Sequence, residues 1–171
     1  MNREKYAPCL FYERQYFASW VYLALLAVIL GSFGPFIGME LPEDTGASII
    51  VCIVACIPLG FIVVINVFRL NTEVRSDSIY IYFGIFFPMI WKTISLSAIT
   101  EVRTVEYRPL RDAGGWGWRC GRFEKQKTWF YNAIGNKGVL ICTSEGRRYI
   151  LGSQQPEKLA EAVEHARSGA R

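Results

Sequence analysis

Apolar and polar positions divide the chain into an uncharged first part and a mixed second part. No charged residue occurs in 15–39, and a second uncharged run covers 45–68. Each run is as long as the roughly 20 apolar residues that a helix needs to cross a hydrocarbon core of about 30 Å. A short link, 40–44, joins the two runs. The pattern therefore predicts two transmembrane helices, 15–39 and 45–68, that form an antiparallel hairpin.

The charges beside these runs predict how the hairpin is oriented. Lysine and arginine occur in the N-terminal segment 1–14 and, after the second run, at Arg69 and Arg75. The link 40–44 has three acidic residues and no basic one. Because positively charged loops stay on the cytoplasmic side, both termini are predicted to be cytoplasmic and the link external. The protein is thus predicted to be a multi-pass integral protein of the cell membrane, with membrane lipid as its first partner.

The remaining residues, 69–171, have the pattern of a small β-rich domain. Short runs rich in β-branched and aromatic residues alternate with turn residues, which is typical of strands. The pattern predicts strands at 73–75, 78–83, 87–96, 101–108, 129–133, 138–143 and 147–151.

A C-terminal helix follows these strands. Pro156 suits the first helical position, and Leu159, Ala162, Val163 and Ala166 recur at helical spacing on one face. We expect a strongly bent antiparallel sheet whose open end is closed by this amphipathic helix. The domain 69–171 is predicted to be cytoplasmic.

Three segments resemble the pleckstrin-homology-like membrane proteins of bacteria and archaea. They are YRPLRD with GGWG in 107–117, YNAIGNKGV at 131–139, and ILGSQQPEKL at 150–159. The resemblance extends to a two-helix hairpin ahead of the domain. It implies a membrane protein of the α+β class, with a seven-stranded pleckstrin-homology-like antiparallel barrel capped by the C-terminal helix. It also implies a scaffolding or assembly role, and it supplies no catalytic residue.

Composition and candidate chemistry narrow the function. The chain is 51% hydrophobic and 20% charged, with a mean hydropathy of +0.19, which excludes a disordered chain. The five cysteines have no C-x-x-C spacing, and His165 is the single histidine, so no zinc site or catalytic triad is indicated. We therefore predict no enzyme activity, no metal, no cofactor and no small-molecule substrate.

One stretch without clear periodicity, 109–128, is the candidate site. Loops of this length are uncommon in compact domains and are often functional. Together with the strand before it, the stretch interleaves basic and aromatic side chains. The candidate binding residues for a partner or a lipid are Arg108, Arg111, Trp116, Trp118, Arg119, Arg122, Lys125 and Lys127.

Three interpretations of this stretch stay open. The tryptophans could fold back onto the barrel, the basic residues could contact an anionic membrane leaflet, or both could form a hot spot for a protein partner. Nucleic acid is not expected, because no nucleic-acid-binding motif accompanies the short basic segment. The leading hypothesis is a non-enzymatic, membrane-anchored interaction or assembly module that binds a protein partner or a second copy of itself. The alternative is a sensor of anionic lipid headgroups through 103–127.

Overall fold

Strands dominate the computed structural model, which describes residues 8–32, 60, 68–84 and 90–169. A one-turn 3₁₀ helix covers Leu96–Ala98, and a π-helical turn covers Pro109–Ala113. The other elements, in chain order, are β1 (Cys9–Tyr16), α1 (Ser19–Ser32), β2 (Arg69–Arg75), β3 (Ser78–Phe83), β4 (Ile90–Ser95), β5 (Ile99–Glu106), β6 (Gly117–Phe123), β7 (Gln126–Asn132), β8 (Lys137–Thr143), β9 (Arg148–Gly152) and α2 (Pro156–Gly169).

A four-stranded antiparallel sheet has the order β1-β2-β3-β4. Its inner face carries alternate apolar residues, such as Leu70 and Val74 of β2 and Ile79 and Ile81 of β3, all of them buried. Sequence patterning missed β1, which pairs with β2 from Tyr16↔Arg69 to Cys9↔Arg75. The pairing joins residues more than 50 positions apart, so no local turn signal announces it.

A five-stranded sheet has the order β5-β8-β9-β7-β6. All its neighbours are antiparallel except β7 and β9, which run parallel over Trp129–Tyr131 and Tyr149–Leu151. The strand β6 stands at one edge of this sheet, as β4 does in the four-stranded sheet.

The main core lies between the inner faces of the two sheets and under α2. The helix contributes Leu159, Val163 and Ala166, which are fully or almost fully buried, so the predicted C-terminal helix is confirmed. A second, smaller core lies on the opposite face of the five-stranded sheet. It is built from Phe130, Leu140 and Ile150 and is packed against Ala113, Tyr107 and Val105.

The predicted seven-stranded pleckstrin-homology-like barrel is wrong. The described strands form two separate open sheets, because neither the edge strand β4 nor the edge strand β6 pairs across the gap between the sheets. Two strands absent from the prediction, β1 and β6, stand at sheet edges. They pair only with β2 and β7 among the described strands, so they do not join the two sheets.

The membrane predictions are also contradicted. Within the described ranges, no helix is long and apolar enough to cross a membrane. The uncharged run 15–39 is shared between two elements: its first residues end β1, and its described remainder forms the 14-residue helix α1. The described part of this run thus ends a strand and forms a helix of 14 residues, which at 1.5 Å per residue is shorter than a hydrocarbon core of about 30 Å. The transmembrane hairpin and the integral-membrane location are withdrawn.

The rest of the hairpin prediction falls on residues that the structure does not describe. The link 40–44 lies wholly outside the described residues. Of the second run, 45–68, only Gly60 and Phe68 lie inside them.

Candidate functional site

An open groove lies between the edge strand β4 and the β6–β7 hairpin. Its volume is about 790 Å³, within the range of ligand pockets. It exists because the two sheets do not close into a barrel on this side. Its lining residues are mostly aromatic or basic and are Ile90, Trp91, Lys92, Trp118, Lys127, Trp129, Tyr131, Gly146, Arg147, Arg148 and Tyr149.

Stacked tryptophans form the floor of the groove. Trp118 of β6 and Trp129 of β7 are diagonal neighbours on the same face of the sheet. Trp118 opposes Tyr131, and two positions along β6 Cys120 opposes Trp129. Their ring centroids are 5.7 Å apart and their planes differ by 13°. This offset stack fixes both rings, and it leaves 46% of Trp118 exposed to the groove.

The tyrosines beside this stack are buried. Tyr131 and Tyr149 are each only 4% exposed and belong to the main core. Burial, together with the nearby Tyr149, raises the pKa of Tyr131 to about 12. Tyr131 is therefore an aromatic ring without negative charge at neutral pH.

Four cations surround these rings. The Nζ of Lys92 lies 5.5 Å from the ring centroid of Tyr149, and the Nζ of Lys127 lies 5.9 Å from that of Trp129. Arg147 and Arg148, at the start of β9, complete the set. None of the described lining residues is a carboxylate, so the groove is a positively charged aromatic surface.

Two of the four cations are paired with carboxylates outside the groove lining, and Arg147 has its Nε 3.3 Å from a carboxylate oxygen of Glu145. A carboxylate oxygen of Glu124 lies 2.8 Å from a guanidinium nitrogen of Arg148 and 2.9 Å from one of Arg103. These bonds, that from Arg148 first, lower the pKa of Glu124. Arg148 is therefore partly neutralised, whereas Lys92 and Lys127 form no ion pair within the described residues.

The hairpin that carries the tryptophans turns through two non-glycine residues. Glu124 has φ of 53° and Lys125 has φ of 63°, so both lie in the left-handed region. Successive residues with positive φ are the geometry of a type I′ turn, whose twist matches that of the strands it joins. The tight turn sets β6 against β7, and the bonds of Glu124 tie this turn to Arg148 of β9 and Arg103 of β5.

The predicted site residues are divided between different surfaces. Only Trp118 and Lys127 line the groove. Arg122 opposes Lys127 on the same face but lies beyond the lining, and Lys125 is at the turn. The other four predicted residues lie on β6 or before it, and none of them lines the groove.

Arg119 points to the opposite face of β6 from Trp118, and its Nε donates to the backbone carbonyl of Trp116 at 3.3 Å. Trp116 itself is half-buried just before β6 and lies outside the groove lining. The stretch 109–128 is thus not a loop but a π-helical turn followed by most of a hairpin.

The remaining two predicted residues belong to the π-helical turn. The backbone N–H of Arg108 donates to Asp112 Oδ2 at 2.8 Å, and the Nε of Arg111 donates to Asp112 Oδ1 at 3.0 Å. Burial opposes the shift, but these two bonds lower the pKa of Asp112. The turn packs tightly on β6, since a Cβ at Gly121 would stand 2.0 Å from the Asp112 carbonyl oxygen. Arg108 and Arg111 therefore stabilise a turn on the far side from the groove.

Several groove residues were absent from the prediction. Trp91, Lys92, Trp129 and Tyr149 are separated by up to 58 positions in the chain, so only the packing of the sheets brings them together. A local signal existed in each case, because a basic residue stands within two positions of each aromatic one, as in Trp91-Lys92 and Arg148-Tyr149.

Metal chemistry finds no support within the described residues, where no group of three metal-ligating side chains occurs. Comparisons of the chain with protein-family models, with curated proteins and with solved structures gave no match. The resemblance to pleckstrin-homology-like proteins therefore stays a prediction.

Proposed function

We propose that this protein is a non-enzymatic binding module, whose groove between β4 and the β6–β7 hairpin holds an acidic, apolar-rich segment of a protein partner. One observation carries the proposal: the described lining combines three tryptophans with four cations and no carboxylate. Tryptophan and arginine are the residues most enriched at interaction hot spots.

The two kinds of side chain have different roles in the proposed binding. The rings of Trp91, Trp118 and Trp129 offer apolar area that a partner's side chains can cover, which supplies affinity. The cations select negatively charged segments and speed their encounter. Lys92 and Lys127 are the most available cations, because Arg148 is paired with Glu124 and Arg147 with Glu145.

The groove lacks several of the groups that catalysis most often uses. Its described lining has no carboxylate, imidazole or thiol to serve as general base or nucleophile. The pKa of about 12 makes Tyr131 a poor proton acceptor or donor at neutral pH. These features favour binding over reaction.

The test uses a labelled decapeptide in which pairs of glutamates alternate with pairs of leucine or phenylalanine, so that each face of an extended strand alternates acidic and apolar residues, and a second peptide in which lysine replaces every glutamate. We expect the full chain to bind the acidic peptide, measured by fluorescence anisotropy, and to bind the lysine peptide at least about tenfold more weakly. Equal binding of the two peptides would refute the charge selection.

Charge-reversal variants locate the binding. The double variant Lys92→Glu with Lys127→Glu is expected to bind the acidic peptide more than about tenfold more weakly than the wild type. The matched control combines Arg119→Glu, on the other face of β6, with Lys158→Glu, on the exposed side of α2. It makes the same change in net charge and should bind as the wild type does. Equal losses of affinity in the two double variants would show only a general effect of net charge and would contradict binding in the groove.

Anionic lipid headgroups are the competing occupant. Vesicles of phosphatidylcholine with and without phosphatidylserine distinguish the two. The groove would be assigned to lipid, and the proposal overturned, if the phosphatidylserine vesicles displaced the acidic peptide and the double variant Lys92→Glu with Lys127→Glu no longer bound the vesicles. No displacement supports the protein segment.

A further inference from the structure

The two sheets differ by one strand, and the mismatch leaves the floor of the groove uncovered. The four-stranded sheet ends at β4, whereas the facing sheet continues through β7 to β6. Exposure rises along the facing sheet toward that edge, from 4% at Tyr149 of β9 to 46% at Trp118 of β6. The aromatic face of β6 and β7 therefore faces the open position beside β4, where a further strand of the four-stranded sheet would lie.

The edge of β4 is ready to accept such a strand. β4 pairs with β3 over its whole length, from Ser78↔Ser95 to Phe83↔Ile90. Its other side has no strand partner within the described ranges. Unpaired N–H and C=O groups along an edge strand are a template for pairing with another chain.

Side chains of β4 mark the two faces that an added strand would share. Ile90, Lys92 and Ile94 alternate on the inner face, where Ile94 is in the core and Lys92 is beside Tyr149. Trp91 is on the outer face, 71% exposed. An adjacent strand, about 4.8 Å away, would direct alternate side chains toward Trp118 and Trp129 and the others beside Trp91.

We infer that the partner segment binds as an extended strand added to β4, as a fifth strand of the four-stranded sheet above the β6–β7 hairpin. The inference rests on the proposed function and specifies its geometry. Backbone pairing with β4 supplies affinity, while the aromatic floor and the cations Lys92 and Lys127 select inward side chains that alternate apolar and acidic.

A second copy of the chain is a poorer occupant of the same edge. Pairing β4 with β4 of another copy would bring two sets of groove cations together, including Lys92 near the middle of each strand. Like charges opposite each other destabilise paired strands. An acidic segment instead complements those cations, so charge favours a different partner.

The test uses three peptides with the sequence of the alternating acidic decapeptide: the parent, one N-methylated at odd positions, and one N-methylated at even positions. Alternate residues of a strand direct their backbone groups to opposite sides. If the peptide adds to β4, one methylated peptide should bind at least about tenfold more weakly than the parent, and the other should bind within about threefold of it. Equal affinities of the two methylated peptides would overturn strand addition.

Hydrogen exchange of β4 gives an independent readout. On binding of the parent peptide, amides at alternate positions of Ile90–Ser95 should exchange at least about tenfold more slowly. Those of β5, the distant edge of the other sheet, should not change. Unchanged exchange along β4 despite peptide binding would also refute strand addition.

The failures of the two proposals are distinguishable. If the parent peptide does not bind, the proposed function fails. If it binds and both methylated peptides bind equally, only the strand geometry fails. Elution of the free chain as a β4-paired dimer, with β4 protected before any peptide is added, would assign the edge to a second copy and refute the inference.

Discussion

One buried carboxylate joins the N-terminal strand to the C-terminal helix. Glu13 of β1 is 7% exposed. Its Oε2 accepts a hydrogen bond from Ser153 Oγ at 2.5 Å, and its Oε1 accepts one from the backbone N–H of Gln154 at 2.7 Å. The positive end of the α2 dipole lies immediately beyond, which favours a negative charge there.

Replacing this carboxylate by an amide should weaken the fold. Glu13→Gln replaces one carboxylate oxygen by an amide nitrogen, which cannot accept the hydrogen bond that this oxygen accepts from Ser153 or Gln154, so we expect urea unfolding to show a loss of about 1.5–3 kcal/mol. The control is Arg14→Gln, the neighbouring residue with an exposed side chain, which should change stability by no more than about 0.5 kcal/mol. Equal effects of the two variants would contradict the role of Glu13.

Glu124 gives the fold a dependence on pH. Its folded-state pKa lies below the ordinary value of 4.5 because of Arg148 and Arg103. A lowered pKa gives stability that is present above the unfolded pKa and is lost as the pH falls through the folded pKa. Because the side chains of Glu124 and Arg103 are both 44% exposed, we expect a contribution of at most about 1 kcal/mol at neutral pH.

Urea unfolding of the wild type and of Glu124→Gln between about pH 3 and pH 7 measures this contribution. The wild type should be the more stable protein at neutral pH, and the difference should shrink as the medium becomes acidic. A difference that stays constant across the range would exclude ionisation of Glu124 as its source.

Among the elements, the β6–β7 turn is the one whose sequence opposes its conformation. Lys125 adopts φ of 63°, which a side chain disfavours and glycine does not. We expect Lys125→Gly to raise the free energy of unfolding by up to about 1 kcal/mol. Lys125→Ala removes the same side chain and keeps the unfavourable backbone, so it should give no such gain.

The binding of the acidic peptide provides a second check on this turn. Lys125 lies outside the groove lining. Both substitutions should therefore leave the affinity for the peptide within about twofold of the wild type. A gain in stability from Lys125→Ala equal to that from Lys125→Gly would contradict the backbone explanation.

Elements with a local signal were predictable, and those without one were not. Residues 78–83 were predicted as a strand with the observed bounds, because β-branched and aromatic residues alternate there and Gly84 follows. The helix α2 was predicted from its apolar spacing. In contrast, β6 contains Gly117, Gly121 and two arginines, and it is a strand only because β7 pairs with it.

The candidate site was predictable only in part, for a related reason. Trp118 and Lys127 stood out by composition in a basic and aromatic stretch. Lys92 and Tyr149 could not be joined to them, because these residues meet only when the four-stranded sheet packs on the five-stranded one. The same stretch also supplied Arg108 and Arg111, which strand alternation and the π-helical turn direct elsewhere.

For the molecule as a whole, a salt series should separate the contribution of charge to peptide binding from that of apolar area. The chain has a net charge of +4, and of the groove cations Lys127 and Arg147 are exposed. Salt screens exposed charges beyond a Debye length of about 10 Å at 0.1 M, whereas ring contacts persist. Raising the NaCl concentration from about 0.05 M to about 0.5 M should lower the affinity for the acidic peptide by about tenfold, measured by anisotropy.

Trp118→Ala is the matched comparison for this salt series. It removes ring area and no charge, so it should lower the affinity by a similar factor at both salt concentrations. If the variant instead lost its salt dependence, the division between cations for selection and rings for affinity would be wrong.

The pairing of Tyr16 with Arg69 has a consequence for how the chain can vary. The residues between them leave the four-stranded sheet at the end of β1 and return to it at the start of β2, on adjacent strands. Phe17 packs against the main core and its ring lies 5.0 Å from that of Phe68. In topological terms the residues between these two are an insertion at the tip of a hairpin, and Phe17 joined directly to Phe68 would be a two-residue turn across the same gap. The β-sheet domain can therefore conserve its register, its core and its groove while this insertion changes in length or is exchanged for another.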